Sequence, residues 1–261
     1  MSTYFTNFPL TNYYFGNEET TVLFQKINAY VDIFDQVKNN ITAYQIYNIK
    51  EFDRPDIVSD KLYGTPNYGW TFFLLNDNLR IRGWPLSSLE LYTQSERYYP
   101  NIVLQTNDNM AYNQKIAVGD TVVLFSDPTQ SGIVRRIDYD LGQVYIDRGD
   151  NGFFGVTSGY IIREGADLLI SNSVRFTAQK KQINAVHHYE DVNGEYVDFL
   201  DSAGAQSGIT ELKFKDPASL NPVTYSTRLQ AVNEELRRIK VIKPGSIEKV
   251  VSEFNRLLRE G

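Results

Sequence analysis

The sequence contains no cysteine and only two histidines. Without cysteine there is no disulfide framework, no thiolate metal site, no iron–sulfur cluster and no thiol nucleophile. The two histidines are adjacent, His187 and His188. They cannot build a multi-histidine metal cage, and on a regular strand their rings would face opposite ways, one packed and one in water. Long apolar runs are also missing: the longest, such as Phe72-Phe73-Leu74-Leu75, fall far short of the ~20 residues that cross a bilayer. The first basic residue is Lys26, so the start lacks the charged opening of a secretory signal. Basic side chains are in deficit, with 26 Lys and Arg against 32 Asp and Glu, which argues against a general nucleic-acid binder. These absences predict a soluble protein of a reducing compartment, with no nucleic-acid and no membrane partner.

What is present is aromatic and unevenly charged. The 261 residues suffice for one or two domains and for a core that needs no staples. They include 18 Tyr, 15 Phe and 2 Trp. Arg228 to Gly261 holds eight basic and five acidic residues, a net of +3, which leaves −9 for the rest of a chain whose total is −6. Such a reversal marks either a helix surface dressed for solubility or a face that meets a partner.

The first residues are rich in Tyr, Phe, Asn and Thr without a clear period, and Pro9 and Gly16 interrupt them. They read as an extended arm whose aromatics dock on the chain's own core or on a partner. Tyr44 to Ile49 fits a strand. Asp53 as N-cap, Pro55 in the first turn and Asp56 beside the positive helix end then open a helix that Tyr63-Gly64 closes. Thr65-Pro66 reads as a second cap and first turn, with Trp70, Phe73 and Leu74 as the next apolar stripe, closing at Asn76-Asp77-Asn78. Pro85 disfavours helix at Trp84, and a short helix or strand follows around Ser87 to Ser95.

Between about 101 and 170 the pattern turns to β. Thr121–Phe125, Gly132–Tyr139, Gln143–Asp147 and Val156–Arg163 are separated by Gly and Asp turns, which predicts four or five short strands and a small SH3-like barrel. Ile183–Glu190 and Glu195–Leu200 flank Asn193-Gly194, a strong hairpin signal. The Gly/Ala/Ser stretch 202–208 reads as a loop. Tyr225–Leu236 is a helix candidate and Arg238–Ile242 a strand or straight connector. After Pro244-Gly245, with Ser246 as N-cap, comes a clean helical stripe: Ile247, Val250, Val251, Phe254, Leu257 and Leu258.

Signatures of chemistry are scarce. Gly155-Val156-Thr157-Ser158-Gly159 has its serine one place too late for a nucleophile elbow, and no phosphate loop or dinucleotide fingerprint occurs. The expectation is no catalytic, cofactor-binding or metal-binding residues and no cofactor. Arg148-Gly149-Asp150 spells an adhesion tripeptide but reads as a turn. Trp70 reads as core. Trp84 reads as a lid on the helices or as an interface anchor, since buried Trp and Arg dominate interface energies.

Pro55, Tyr63-Gly64, Trp70 and Asn76 resemble the signature of a LysM-like module, a βααβ fold whose first helix ends in Tyr-Gly and whose second carries Trp and closes on Asn. Trp84-Pro85-Leu86, the hairpin at Asn193-Gly194 and the run Asn233-Glu234 to Arg237 and Ile239-Lys240-Val241-Ile242 look similar to the baseplate wedge proteins of T-even-like contractile-tailed phages. The resemblance covers about 1–100 and 183–261. The strand-rich part between is larger than that family leads one to expect and reads as an inserted small barrel. Together these readings give an α+β chain: an N-terminal arm and lead-in over 1–43, a LysM-like module over 44–100, an inserted small β-barrel over 101–182, and a hairpin with amphipathic helices over 183–261. The resemblance implies a non-enzymatic virion subunit, assembled in the host cytoplasm and present in several copies. Such a subunit clamps the wedge core, meets a sheath-initiator-like subunit and joins neighbouring wedges into a six-fold baseplate.

Under that resemblance the partner-facing candidates are Tyr13, Tyr14, Phe15, Trp84, Pro85, Arg237 and Arg238. Two other classes remain: a LysM-type peptidoglycan-binding module, and a tail-associated wall hydrolase built on two carboxylates. The start Glu51-Phe52-Asp53-Arg54-Pro55 departs from the Gly-Asp-Thr-Leu type opening of sugar-binding LysM modules, which weighs against glycan binding.

Overall fold

Short β-prone runs and short helices alternate along the chain, and the fold is α+β. The computed structural model describes residues 8, 10–13, 21–25, 37–109, 114–201 and 211–260. The first elements are strands β1 (Leu10–Tyr13), β2 (Val22–Gln25) and β3 (Tyr44–Asn48), then helices α1 (Pro55–Tyr63), α2 (Trp70–Leu75), α3 (Asp77–Arg82) and α4 (Ser88–Tyr98). Strands β4 (Ile102–Gln105), β5 (Thr121–Leu124), β6 (Asp127–Asp138), β7 (Gln143–Asp147), β8 (Gly159–Arg163), β9 (Ser173–Phe176) and β10 (Ala178–Lys181) follow. The chain continues through β11 (Val186–Glu190), β12 (Tyr196–Val197) and β13 (Asn221–Thr224), and ends on α5 (Tyr225–Arg237), β14 (Arg238–Ile242) and α6 (Ile247–Glu260). Two compact units result, one from 1–88 with 232–261 and one from 89–231. The stretches 44–100 and 183–261 therefore each contribute to both.

In the first unit, Pro55 opens α1, because its fixed φ suits a first turn that needs no N–H. Gly64 closes it in the left-handed region (φ 69°), its N–H reaching Asp60 O. The expected cap at Asp53 does not form. Arg54 occupies the N-cap position without a side-chain bond, because the Asp53 carboxylate is taken by Lys61, Tyr47 and the Lys50 amide. The second helix closes at Asn76, as expected, but the chain does not leave the helical pattern there. Asn76 breaks it in an extended conformation and a further helix, α3, continues beyond. In α2, Thr71, Phe72 and Leu75 are the fully buried residues, while the expected Trp70, Phe73 and Leu74 are partly buried and pack at the edges of the same apolar clusters.

The strand β3 pairs antiparallel with β14, Tyr44 opposite Ile242 and Asn48 opposite Arg238. Ile239 and Val241 of β14 join Ile49, Val58, Phe72 and Leu79 in one apolar cluster. Ile242 joins a second with Phe8, Leu75, Phe254 and Leu258. The stripe read on α6 is thus the face that packs. In the described part of the N-terminal arm, Leu10–Tyr13 pairs antiparallel with Val22–Gln25 rather than standing as a lone extended segment, and Phe8 docks in the unit's own core, one of the two dockings expected for the arm. Aromatic and aliphatic residues in both short runs favour pairing over an isolated extended chain.

In the second unit, seven antiparallel strands run in the order β10-β4-β7-β6-β5-β8-β9. Sequence reading found those around β5 to β8 and missed β4, β9 and β10, which are short. The two edge strands β9 and β10 are consecutive in the chain with only Thr177 between them, so the sheet curls back toward its own start. Thr177 N–H donates to Gln105 O (2.9 Å) and Thr106 Oγ1 to Arg175 O (2.6 Å), tying both edges to the end of β4. Leu104, Val122, Val134, Val144, Ile146, Ile161 and Val174 fill the interior.

A smaller sheet, β12-β11-β13, carries the Asn193-Gly194 hairpin, in which Asp191 N–H donates to Glu195 O (2.9 Å). The β13 strand, opened by Asn221-Pro222, was not legible in the sequence. A register shift between Val186 and His188 places a bulge at His187. It overturns the expectation of opposed histidines: both rings are half-buried, with Nδ1 atoms 2.9 Å apart. The predicted loop 202–208 lies outside the described residues.

Candidate interaction surface

The turn between β3 and α1 gathers most of the residues singled out from sequence. Asp53 N–H donates to Lys50 O (3.1 Å), and Lys50 N–H donates back to Asp53 Oδ2 (3.3 Å). This closes Lys50-Glu51-Phe52-Asp53 with Phe52 at φ 65°, a left-handed position that costs a residue with a Cβ about 1–2 kcal/mol. Phe52 is nevertheless 76% exposed. A bulky apolar side chain therefore stands in water on a strained backbone, an arrangement that persists only when its surroundings over-determine it.

Those surroundings are bonded on both sides. Asp53, 7% exposed, accepts from Lys61 Nζ (2.5 Å) and Tyr47 Oη (3.2 Å). Burial alone would raise its carboxyl; the Lys61 ammonium, the Lys50 amide and the Tyr47 hydroxyl outweigh that and hold it below the usual carboxylate range. The Asp53 carbonyl accepts from Trp84 Nε1 (2.6 Å). On the other side of Phe52, Glu51 accepts from the Ser88 amide (2.6 Å) and from Arg237 Nη2 (2.6 Å). The Ser88 amide first, then Arg237, keep its carboxyl low.

The strap Trp84-Pro85-Leu86 is fixed by the same groups. Trp84 packs on Phe72 and Phe73 (centroids 5.9 and 5.8 Å). Leu86 N–H donates to Asn233 Oδ1 (2.8 Å), while Asn233 Nδ2 and Arg237 Nη2 donate to Leu86 O (3.0 and 3.1 Å). Arg237 Nε also lies 2.9 Å from Glu234 Oε1. Trp84, Pro85 and Arg237 thus come together, but their side chains serve the chain's own turn: Pro85 is buried and Arg237 is ion-paired. Arg238 is exposed at the start of β14 and Tyr13 is half-buried on β1. Tyr14 and Phe15 lie outside the described residues.

The motif residues Pro55, Tyr63, Gly64, Trp70 and Asn76 all build the first unit. Tyr63 Oη donates to Ile242 O (2.9 Å), and burial pushes its hydroxyl far above the ordinary tyrosine range. Trp70 packs against Phe254 (5.2 Å). Sequence reasoning missed Phe52. Its one local signal is an aromatic residue in the third place of the polar turn Lys-Glu-Phe-Asp.

A second polar cluster lies in the other unit. His188 Nε2 is 3.0 Å from Glu190 Oε1, and the His187 ring meets Tyr225 edge-on at 4.9 Å. The Tyr225 and Tyr145 hydroxyls lie 2.9 Å apart, and Tyr145 Oη donates to Gln143 Oε1 (2.8 Å). Among the described residues no group of three or more His, Cys, Asp or Glu is placed to hold a metal ion, and no helix is long and apolar enough to cross a membrane. No family model matches the chain, and no curated protein matches it.

Proposed function

We propose that the chain is a structural subunit of a contractile phage tail baseplate, one that clamps the wedge core and joins neighbouring wedges. The observation that carries an assembly role is Phe52, an exposed aromatic knob on a turn bonded from both sides. Large rigid aromatics of this kind anchor permanent interfaces. The phage assignment rests on the resemblance of Pro55, Tyr63-Gly64, Trp70, Asn76, Trp84-Pro85 and the Asn233–Ile242 run to baseplate wedge proteins. In this reading the first unit is a LysM-like βααβ module whose closing strand is β14. The curled seven-stranded sheet is an inserted SH3-like barrel. The subunit works without cofactor or turnover, in the virion, in several copies.

Support comes from the antiparallel β3–β14 pair around helices that carry the motif residues, and from the reversed charge of the C-terminal stretch. The test is co-expression of the full chain with wedge-core subunits, read by size exclusion and by mass spectrometry of purified virions. A stoichiometric complex weakened by Phe52→Asp supports the proposal. Absence of the chain from virions together with failure to co-assemble overturns it. Saturable retention on insoluble peptidoglycan would redirect the reading to a glycan-binding module.

A further inference from the structure

The two-stranded sheet β14-β3 of the first unit has one edge closed and one open. Antiparallel strands bond across at every second residue. Here Ile49 N–H donates to Arg237 O (2.8 Å) and Lys243 N–H to Ala43 O (3.1 Å) at the two ends of the ladder. Lys240 therefore turns its N–H and carbonyl away from β3, and Asn76 takes both. By the same alternation Tyr44, Ile46 and Asn48 turn theirs away from β14. Among the described residues nothing bonds to these outward groups. Ile46 is 48% exposed and Asn48 is exposed, so this edge faces water. Open edges are ordinarily guarded by a charge, a proline or a bulge. The strand β3, Tyr-Gln-Ile-Tyr-Asn, has no charged residue and no proline, and its register with β14 runs without a shift.

An unguarded edge is a template for another strand, which would satisfy the outward N–H and C=O groups in turn. We infer that β3 takes up an extended, acidic segment of a partner polypeptide as a third strand of this sheet. Charge selects that occupant over a second copy of the chain. Residues directly opposite in a ladder share a sheet face, so Arg238 and Lys240 stand on the face of Asn48 and Ile46. Arg238 is exposed, and Lys240 Nζ leans across β3 over the Tyr44 ring (4.7 Å). Lys240 Nζ also donates to Lys38 O (3.3 Å). Among the described residues neither cation is paired with a carboxylate. Pairing β3 with its own copy would gather both pairs of cations on one face, whereas Asp or Glu at alternate positions of a partner strand answers them with opposite charge. An added strand would lie about 10 Å from β14, a gap that an Arg and a Glu side chain span between them. The inference is independent of the baseplate reading, since any partner with such a strand satisfies it.

The test uses the full chain, labelled with nitrogen-15, and three probes. They are acetyl-Thr-Glu-Thr-Val-Thr-Glu-Thr-amide, its counterpart with Lys in place of Glu, and the Glu peptide with its valine N-methylated. In the free chain the Ile46 amide should exchange with solvent quickly while the Gln45 and Tyr47 amides, bonded to β14, exchange slowly. The Glu peptide should shift the amides of 44–48 saturably and slow exchange at Ile46. The Lys peptide should bind about tenfold more weakly, and the N-methylated peptide, which cannot complete the ladder, weaker still. Ile46→Pro removes an outward N–H that β14 does not use and should abolish the response. If that variant folds poorly, Arg238→Glu should shift the preference toward the Lys peptide. No response to the Glu peptide, equal binding of the N-methylated or Lys peptide, or an unchanged preference in Arg238→Glu overturns the inference. Slow Ile46 exchange in the free monomer assigns the edge to another segment of this chain. Slow exchange that appears together with a dimer in sedimentation assigns it to a second copy; either result also overturns it.

Discussion

Asn76 grips the backbone of Lys240 with both ends of its carboxamide: Oδ1 accepts the Lys240 N–H (2.8 Å) and Nδ2 donates to the Lys240 carbonyl (2.9 Å). The same Nδ2 donates to Phe72 O (2.8 Å), so one buried side chain caps α2 and pairs with β14 like a neighbouring strand. Asn76→Ala should destabilise the protein by about 2–4 kcal/mol, because three bonds vanish and buried backbone groups are left unpaired. Asn76→Asp should also destabilise it, since a carboxylate would face two carbonyls. Urea unfolding followed by circular dichroism measures both.

Asn233 does the reverse, holding the backbone of Leu86 from the C-terminal side. Asn233→Ala should loosen the strap that carries Trp84. Indole fluorescence should shift toward that of a more hydrated Trp84, and stability should fall by about 1–3 kcal/mol.

Phe52→Gly separates folding from binding. Glycine removes the left-handed penalty of about 1–2 kcal/mol but adds about 0.5–1 kcal/mol of unfolded-chain entropy. The exposed ring contributes little to the core, so unfolding should occur at the wild-type denaturant concentration or slightly above. Under the proposed assembly role, affinity for wedge-core subunits should fall. A clear loss of stability would mean that the ring packs in the free protein.

His187 gives an acid limb to stability. Burial first, then Arg228, His188 and Arg136, push its pKa down against the opposing pull of Asp138. Tyr225 and the His188–Glu190 pair complete its surroundings. The folded imidazole stays neutral while the unfolded chain takes up a proton, so this contribution is lost as pH falls below about 6.5. His187→Gln should flatten the dependence of unfolding free energy on pH between about 6.5 and 5, measured by urea titration across that range.

Gly142 turns between β6 and β7 with φ 62°, and a Cβ there would collide with the Thr106 carbonyl and the Phe214 ring. Gly142→Ala should cost at least about 2 kcal/mol through strain and overpacking. Thermal unfolding should register the loss.

Sequence reading located features whose signals are local. Pro55 and Gly64 bracket α1, Asn193-Gly194 makes the hairpin, and Ile247 to Leu258 forms the buried face of α6. It mistook Asp53 for a cap, because a carboxylate before Pro55 looks the same whether it bonds the helix amides or Lys61. It expected the histidines on opposite faces, because a bulge depends on the partner strand. It named Trp84 and Arg237 as partner-facing candidates, whereas the structure bonds both to the chain's own turn through Asp53 O, Glu51 and Leu86 O. It could not tell that Asp53, Glu51 and Leu86 would occupy their polar atoms and leave Phe52 as the outward group.

The absence of cysteine and the scarcity of histidine were sufficient by themselves to set aside thiol chemistry and histidine metal cages, and the caps, turns and apolar periods to predict a mixed fold of short elements. Only the tertiary structure paired β3 with β14, joined 232–261 to the first 88 residues, and brought β9 and β10 to opposite edges of one sheet. Strand pairing and two-handed bonds such as Asn76 to Lys240 form between backbones far apart in sequence. Every residue carries the same N–H and C=O, so nothing in either segment alone names its partner.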